Sequence, residues 1–376
     1  KKYLNEEKYQ QTVGKMKKAG KIILIIGIII SVVGSAMAIT GFVSLASKVS
    51  SGAEGVFNTI SDYSDNDYSY TNVSSYTSSE YYRKDLPLPV IIGWNEQDNA
   101  VEYAVSIITS AETRTYYTEH NRITIYNLVP STTYHCLVYA LCADATKVLI
   151  KDDSFTTANT ITRMLNIEGI QNVRDIGGYS ALNGNKVKYG MIYRGSAMDE
   201  NLAQTLQITD KGKYEMLVRV GIKTDLDLRA NITQSALGSD VNFKCVPYHA
   251  YDTALTDTQY KEKFKTIFEY IVTQLQANKP VYLHCQGGCD RTGTIVFLLL
   301  GLLGVSESDL AKEYELSSLS VIGKFRTRNS ASYKYSDMVN VIKSCSGATI
   351  TDKFVNYATG CGISNDTITN FRNLMI

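Results

Sequence analysis

Apolar residues are distributed along this chain in three ways, and each predicts a different kind of structure. From Ile22 to Ala46 they are nearly continuous, with Lys48 the first charge after the run. About 20 such residues cross a bilayer as a helix, so residues 22–46 are expected to form a transmembrane anchor. Residues 47–85 are rich in Ser, Tyr, Asp, Asn and Thr and lack periodicity, which reads as a solvated linker. Between 86 and 158 the pattern alternates. Val101, Tyr103, Val105 and Ile107 share one face, as do Ile123 and Ile125, and then Tyr134, Cys136, Val138 and Ala140. Short alternating strands separated by turn residues predict a small all-β sandwich.

From 160 to 376 short apolar strands alternate with helical periods. Thr209 to Val220 reads as a helix closed by Gly221, and Lys223 to Leu228 as a strand. Tyr260 to Gln276 carries Phe264, Ile267, Phe268, Ile271, Val272 and Leu275 on one face. Val281-Tyr282-Leu283 reads as a buried strand and Ile295 to Leu303 as a buried helix; Ser306 and Asp309 open a further helix that ends near Ser317. Such alternation predicts a mostly parallel sheet flanked by helices. The polar stretch 249–262 reads as a surface loop or a lid.

Charge orients this arrangement. Lysines crowd the front of the long apolar run and Glu54, Asp62, Asp65 and Asp67 follow it. The basic segment 1–21 is therefore expected in the cytoplasm and everything after the anchor outside the cell membrane. A cleaved signal ending at Ala36-Met37-Ala38 is the alternative, and would give a secreted protein. The balanced formal charge of +1 argues against a nucleic-acid partner. The 7 cysteines are too few for a disulfide scaffold. Cys136 and Cys142 lie ~20 Å apart on one predicted strand, where a bridge tolerates ~7 Å, and are expected as buried thiols.

The stretch that carries chemistry is His284-Cys285-Gln286-Gly287-Gly288-Cys289-Asp290-Arg291-Thr292-Gly293, between the predicted buried strand and the predicted buried helix. A tight loop there turns successive backbone N–H groups toward one point, and the helix dipole adds positive potential. Gly287 and Gly288 let the backbone curl, and Arg291 can return across the loop to grip two oxygens of one anion. A cup of this kind favours the thiolate of a cysteine at its floor, placing Cys285 for in-line attack on phosphorus. Asp290 is the nearest candidate acid, and Thr292 offers a hydroxyl to the thiolate. No metal or other cofactor enters such chemistry.

These residues resemble the Cys-x5-Arg-Thr/Ser-Gly signature of the cysteine-dependent phosphatases. They are most similar to the bacterial tyrosine and phosphoinositide phosphatases whose loop reads His-Cys-x-x-Gly-Lys-Asp-Arg-Thr-Gly. The resemblance implies Cys285 as nucleophile, Arg291 as phosphate ligand and Asp290 as general acid, with Gln286, Gly287, Gly288, Cys289, Thr292 and Gly293 completing the phosphate loop behind His284. It also implies an α/β cysteine-phosphatase domain over 160–376. Three upstream segments agree in order: Asn172 to Tyr179, Tyr193 to Ser196, and Asp227-Leu228-Arg229. Asp227 is a second candidate acid. Arg174, Asp175, Arg194 and Arg229 support the site, either at the anion or as structural ion pairs. Cys289 stands where the family has lysine; it is either a tolerated substitution or a thiol able to pair reversibly with Cys285.

Trp94 and the turn Leu128 to Tyr134 resemble a fibronectin type III module, which implies a corner tyrosine, a core tryptophan and a surface ligand as an expected partner. The combined expectation is a membrane-anchored phosphomonoester hydrolase acting on a phosphotyrosine protein or a small phosphomonoester. A phosphoinositide or inositol-phosphate phosphatase is the alternative within the enzyme class. A surface binding or adhesion protein with an inactive phosphatase domain is the alternative outside it.

Overall fold

The computed structural model describes residues 85–160, 162–200, 206–323 and 325–376. The expected basic segment 1–21, the anchor 22–46 and the linker up to residue 84 lie outside the described residues. Among the described residues no helix is long and apolar enough to cross a membrane. Two compact units are present: one over Pro89–Asn159, the other over Thr160–Ile376 together with residues 85–88.

The first unit is all antiparallel β. Strands β1 (Val90–Gly93) and β4 (Arg122–Ile125) pair with each other, while β2 (Ala100–Ile108), β3 (Thr113–Thr118), β5 (Thr133–Cys142) and β6 (Lys147–Thr156) form a sheet in the order β3-β2-β5-β6. Period-two alternation builds its core from Tyr103, Val105, Ile107, Ile125, Tyr134, Cys136, Val138 and Ala140. Val101 departs from the expected face and is 50% exposed. The register of β2 against β5 shifts between Ala100 and Glu102, and such a bulge turns the extra residue out of the alternation. Tyr134 is buried, and its hydroxyl accepts a hydrogen bond from the Val129 amide at 3.0 Å. Trp94 is only partly buried; it packs beside the core with its ring 5.2 Å from that of Tyr103. Cys136 and Cys142 are buried free thiols.

The second unit is built on a six-stranded sheet. Its strands are β7 (Arg163–Met164), β8 (Arg174–Asp175), β9 (Ile192–Gly195), β12 (Thr224–Asp227), β13 (Asn242–Cys245) and β14 (Val281–His284), in the order β13-β12-β14-β9-β8-β7. The first four run parallel and the last two join antiparallel. A small hairpin, β10 (Asp199–Glu200) and β11 (Leu206–Gln207), stands apart from this sheet. Alternation along β14 and β9 divides the interior. Val281, Leu283 and Ile192 join a large core formed with α3 (Thr258–Gln276), α4 (Asp290–Leu302), α6 (Tyr335–Ser344), α7 (Ile350–Gly360) and α8 (Asn365–Met375). Tyr282 and Tyr193 face a smaller core with Met216 and Ile222, beside α1 (Asp210–Tyr214) and the π-helical turns Glu215–Val220. Gly221, at φ +85°, closes those turns in a conformation that favours glycine.

Two expectations need correction. The stretch 249–262 is not an irregular loop: it folds as α2 (Tyr251–Thr256) and the start of α3, because Ala254, Leu255 and Phe264 supply an apolar helical face. Nor does the linker stay solvated to its end. Asp85 is completely buried, and its carboxylate accepts the Asn172 amide at 2.6 Å, in the second unit and not in the sandwich.

Candidate active site

The site is a loop, Cys285 to Cys289, between the buried end of β14 and the start of α4. Its carbonyls are all turned outward onto donors. The Cys285 carbonyl lies 3.2 Å from His284 Nδ1, and the Gln286 carbonyl accepts from the Ala197 amide at 2.8 Å. Asn172 Nδ2 donates to the Gly287 carbonyl at 3.0 Å, Arg194 Nη2 to that of Gly288, and the Gly293 amide to that of Cys289 at 3.0 Å. The N–H groups of Gln286, Gly287, Gly288 and Cys289 have no partner among the described residues, which leaves a row of donors at the mouth of a helix N-terminus. Cys285 lies at the floor, 3% exposed. Gly288 has φ +67°, and a Cβ there would come within 2.1 Å of the Gly195 carbonyl oxygen, so the loop passes β9 at a distance only glycine permits.

Beneath the loop, a closed set of charges fixes the donors that hold it. Arg174 and Arg194 are fully buried, and both bind Glu313 of α5 (Glu307–Glu315), at 2.8 and 2.7 Å. Arg174 also donates to the Glu313 carbonyl at 2.7 Å and to the side chain of Asn172. Cys289 is in this layer too. Its thiol donates to the Gly287 carbonyl at 3.1 Å and receives Asn172 Nδ2 at 3.3 Å, and burial pushes its pKa up to about 12. It is a packed neutral thiol, and both it and Cys285 are free. Asp175 ties β8 to its neighbours: it accepts from the Gly190 amide at 2.7 Å, the Gly177 amide at 2.9 Å and Arg163 at 3.2 Å. Arg174, Asp175 and Arg194 are thus structural ion pairs.

His284 and the aspartates of β12 form a second buried group. His284 Nε2 lies 2.9 Å from Asp225 Oδ1 and 3.7 Å from Asp227 Oδ2. Burial alone would lower the histidine pKa, but the Asp225 charge and hydrogen bond, with Asp227 behind them, raise it to about 9. Asp227 is not the free acid that its strand-end position suggested. Its carboxylate accepts from the Arg229 amide at 2.8 Å and from the guanidinium at 2.6 Å. Burial opposes its charge, yet His284 and Arg229 together hold it below the usual carboxylate range. Arg229 also reaches Asp199 at 2.7 Å.

The mouth is more open. Arg291 is partly exposed and donates to the Leu228 carbonyl at 3.3 Å. Asp290, the first residue of α4, has a side chain 32% exposed. Tyr251 donates its hydroxyl to Asp290, and Arg326 grips the carboxylate from Nε at 3.1 Å and Nη2 at 3.0 Å. The Thr292 hydroxyl is buried without a partner among the described residues.

Glu313, Asp225, Asp85, Tyr251 and Arg326 are site residues that the sequence reading passed over. Glu313 carried one signal: it shares the buried side of α5 with Leu310 and Tyr314, where an acid needs a partner. Among the described residues no group of three His, Cys, Asp or Glu side chains is placed to hold a metal ion. A cavity of about 510 Å³ lies between α5, α6 and α7, lined by Phe297, Leu310, Tyr335 and Phe354 among others; neither Cys285 nor Arg291 reaches it.

Residues 165–376 match a family described as the tyrosine phosphatase family. A Cupriavidus necator protein named "Putative tyrosine-protein phosphatase" is 25% identical over 175 residues, covering 40% of this chain and 61% of that protein. The chain therefore spans less than two thirds of the length of this curated relative. Among solved structures, P. aeruginosa TpbA is 17% identical with a TM-score of 0.30, over 46% of this chain and 89% of that one. A cysteine-to-serine form of TpbA in complex with pTyr gives 18% and 0.29, over 46% and 88%. The core catalytic domain of the PP-IP phosphatase SIW14 from S. cerevisiae, in complex with citrate, gives 15% and 0.27, over 38% and 86%.

Proposed function

Because the chain belongs to the tyrosine phosphatase family, we propose that it hydrolyses phosphomonoesters, phosphotyrosine first among them, through a phosphocysteine on Cys285. The observation that carries this reading is the loop with every carbonyl bonded outward and the N–H groups of Gln286 to Cys289 without a partner among the described residues, above Cys285. Such a row binds the three non-bridging oxygens of a phosphoryl group, with Arg291 closing over them. The Cys285 thiolate then attacks phosphorus in line, the bond to the leaving oxygen breaks, and Asp290 gives that oxygen its proton. Water attacks the phosphocysteine in the second step; Asp290 takes a proton from it, and the sulfur leaves as thiolate. Thr292, whose buried hydroxyl has no other partner among the described residues, stabilises that thiolate.

Cys289 favours a single phosphate group over a polyanionic headgroup. It stands where the resembling phosphatases carry lysine, and its buried thiol adds no charge to the mouth. The phosphoinositide reading is accordingly second. Asp290 leads Asp227 as the acid, since Asp227 is buried against Arg229 and His284. The binding-protein reading would rest on the β-sandwich, whose buried Tyr134 bonded back to Val129 supports a fibronectin type III likeness. Anchoring in the membrane with the catalytic unit outside rests on the pattern of residues 1–46.

The test is hydrolysis of a phosphotyrosine peptide, para-nitrophenyl phosphate and a phosphoinositide by the full chain with EDTA present. Cys285→Ser should abolish turnover, and Asp290→Asn should slow the peptide far more than para-nitrophenyl phosphate, whose leaving group needs little proton assistance. A folded parent inactive on all three substrates would leave the binding-protein reading in front.

A further inference from the structure

Asn172 holds the wall of the phosphate loop, and it is itself held from behind. Its Nδ2 donates to the Gly287 carbonyl at 3.0 Å and to the Cys289 sulfur at 3.3 Å, while its Oδ1 accepts from Arg174. A peptide group is planar, so a Gly287 carbonyl fixed outward points the N–H of Gly288 inward, toward the anion. The aim of that donor therefore depends on where Asn172 stands. Asn172 stands in an unusual conformation, φ +59°, a left-handed region that asparagine enters more readily than most residues but only with local support.

That support comes from the peptide joining Gln171 to Asn172, which is bonded at both ends. Its carbonyl accepts from the Ser196 amide at 3.1 Å, and its N–H, that of Asn172, donates to Asp85 Oδ2 at 2.6 Å. Asp85 and Asn172 are both completely buried. A carboxylate is costly to bury, and an apolar side chain would fill the same space; the bonds Asp85 makes account for its presence there. If the carboxylate is removed, the Asn172 N–H becomes a buried donor in search of an acceptor, and rotation of its peptide is the available relief. In sequence the β-sandwich stands between the two partners. Residues 85–88 group with Thr160–Ile376, while Pro89–Asn159 form the other unit.

We infer that Asp85 is a positioning residue of the phosphate loop: it fixes the Asn172 backbone, Asn172 fixes the Gly287 carbonyl, and the Gly288 N–H is thereby aimed at the phosphate. The segment that precedes the β-sandwich is then a working part of the phosphatase unit, which the match of the family over residues 165–376 does not include. This inference rests on the Cys285 loop binding phosphate in the proposed reaction.

The experiment measures, for the full chain, kcat and KM on a phosphotyrosine peptide and the inhibition constant of inorganic phosphate, with Asp85→Ala, Asp85→Asn, Asn172→Gly and the double variant Asp85→Ala/Asn172→Gly. The inhibition constant belongs to the folded molecules alone, so a loss of stability does not move it. Asp85→Ala should raise it about tenfold, as one weakened hydrogen bond to a charged group would, and should lower kcat/KM by about 10²-fold. Asp85→Asn, which keeps an acceptor oxygen, should fall between Asp85→Ala and the parent and decides the matter if Asp85→Ala does not fold. Asn172→Gly keeps the left-handed backbone but removes the side chain that holds the loop. It should weaken phosphate by itself, and adding Asp85→Ala should then change the inhibition constant by no more than about twofold, because the path is already cut. If the Asp85 variants keep the parent's inhibition constant and KM, or if the effects of Asp85→Ala and Asn172→Gly multiply in the double variant, the positioning role is overturned and the reading of the loop stands. If the folded parent neither turns over the peptide nor binds phosphate, the reading of the loop falls, and the role of Asp85 falls with it.

Discussion

Two sets of charged side chains meet at the Cys285 loop, and the fold treats them in opposite ways. Beneath the loop Arg174, Arg194 and Glu313 are at most 2% exposed and closed on one another, and through Asn172 and Arg194 they pin the carbonyls of Gly287 and Gly288. At the mouth the Asp290 and Arg326 side chains are 32% and 15% exposed, and among the described residues the Arg291 side chain donates to a backbone carbonyl, that of Leu228. A fully buried charge cannot change partner without a large desolvation cost, so the lower set fixes geometry. Partly exposed charges can exchange partners with an incoming anion, so the upper set is the one suited to chemistry.

The difference can be broken most severely from below. Glu313→Gln leaves two buried guanidinium groups without their counter-charge, and should cost about 3–5 kcal/mol of stability by chemical denaturation. Arg326→Met at the mouth should cost far less. If both cost the same, the division between the two sets is wrong. His284 offers a pH test of the lower region. Its folded-state pKa, about 9, lies above the ordinary histidine value, so its contribution to stability is complete below about pH 6.5 and is lost as pH rises through about 9. The fall should amount to about 3 kcal/mol at most, and His284→Asn should flatten it. Gly288→Ala sharpens the contrast from the loop itself. The new Cβ meets the Gly195 carbonyl, and a displacement of about 1 Å should cut kcat/KM by about 10²-fold. Tyr134→Phe removes one hydrogen bond in the sandwich and should cost about 1 kcal/mol with turnover unchanged.

What the sequence revealed and what it hid divide along range in the chain. The loop, its glycines and the strand and helix on either side were readable because a single continuous stretch encodes them. The faces of β5 and α3 were equally plain, since Tyr134, Cys136, Val138 and Ala140, or Phe264, Ile267 and Ile271, repeat at one period. The Ala100/Glu102 bulge was invisible because its cause is pairing with β5. Glu313 serves arginines more than a hundred residues away, Asp85 meets Asn172, 87 residues later in the chain, and Arg326 reaches Asp290 from another segment. A local pattern can mark a buried acid such as Glu313, but it does not identify the partner. Asp227 was noticed for its place at a strand end, yet Asp225, two residues earlier, makes the shorter contact to His284.

The most direct test is to find the covalent intermediate. The full chain turning over a phosphotyrosine peptide is quenched in acid within the first turnovers, and the peptide containing Cys285 is examined by mass spectrometry. One phosphate on Cys285 in the parent, absent from Cys285→Ser together with all turnover, is the expected result. Phosphate on another residue, or undiminished turnover by Cys285→Ser, would contradict it.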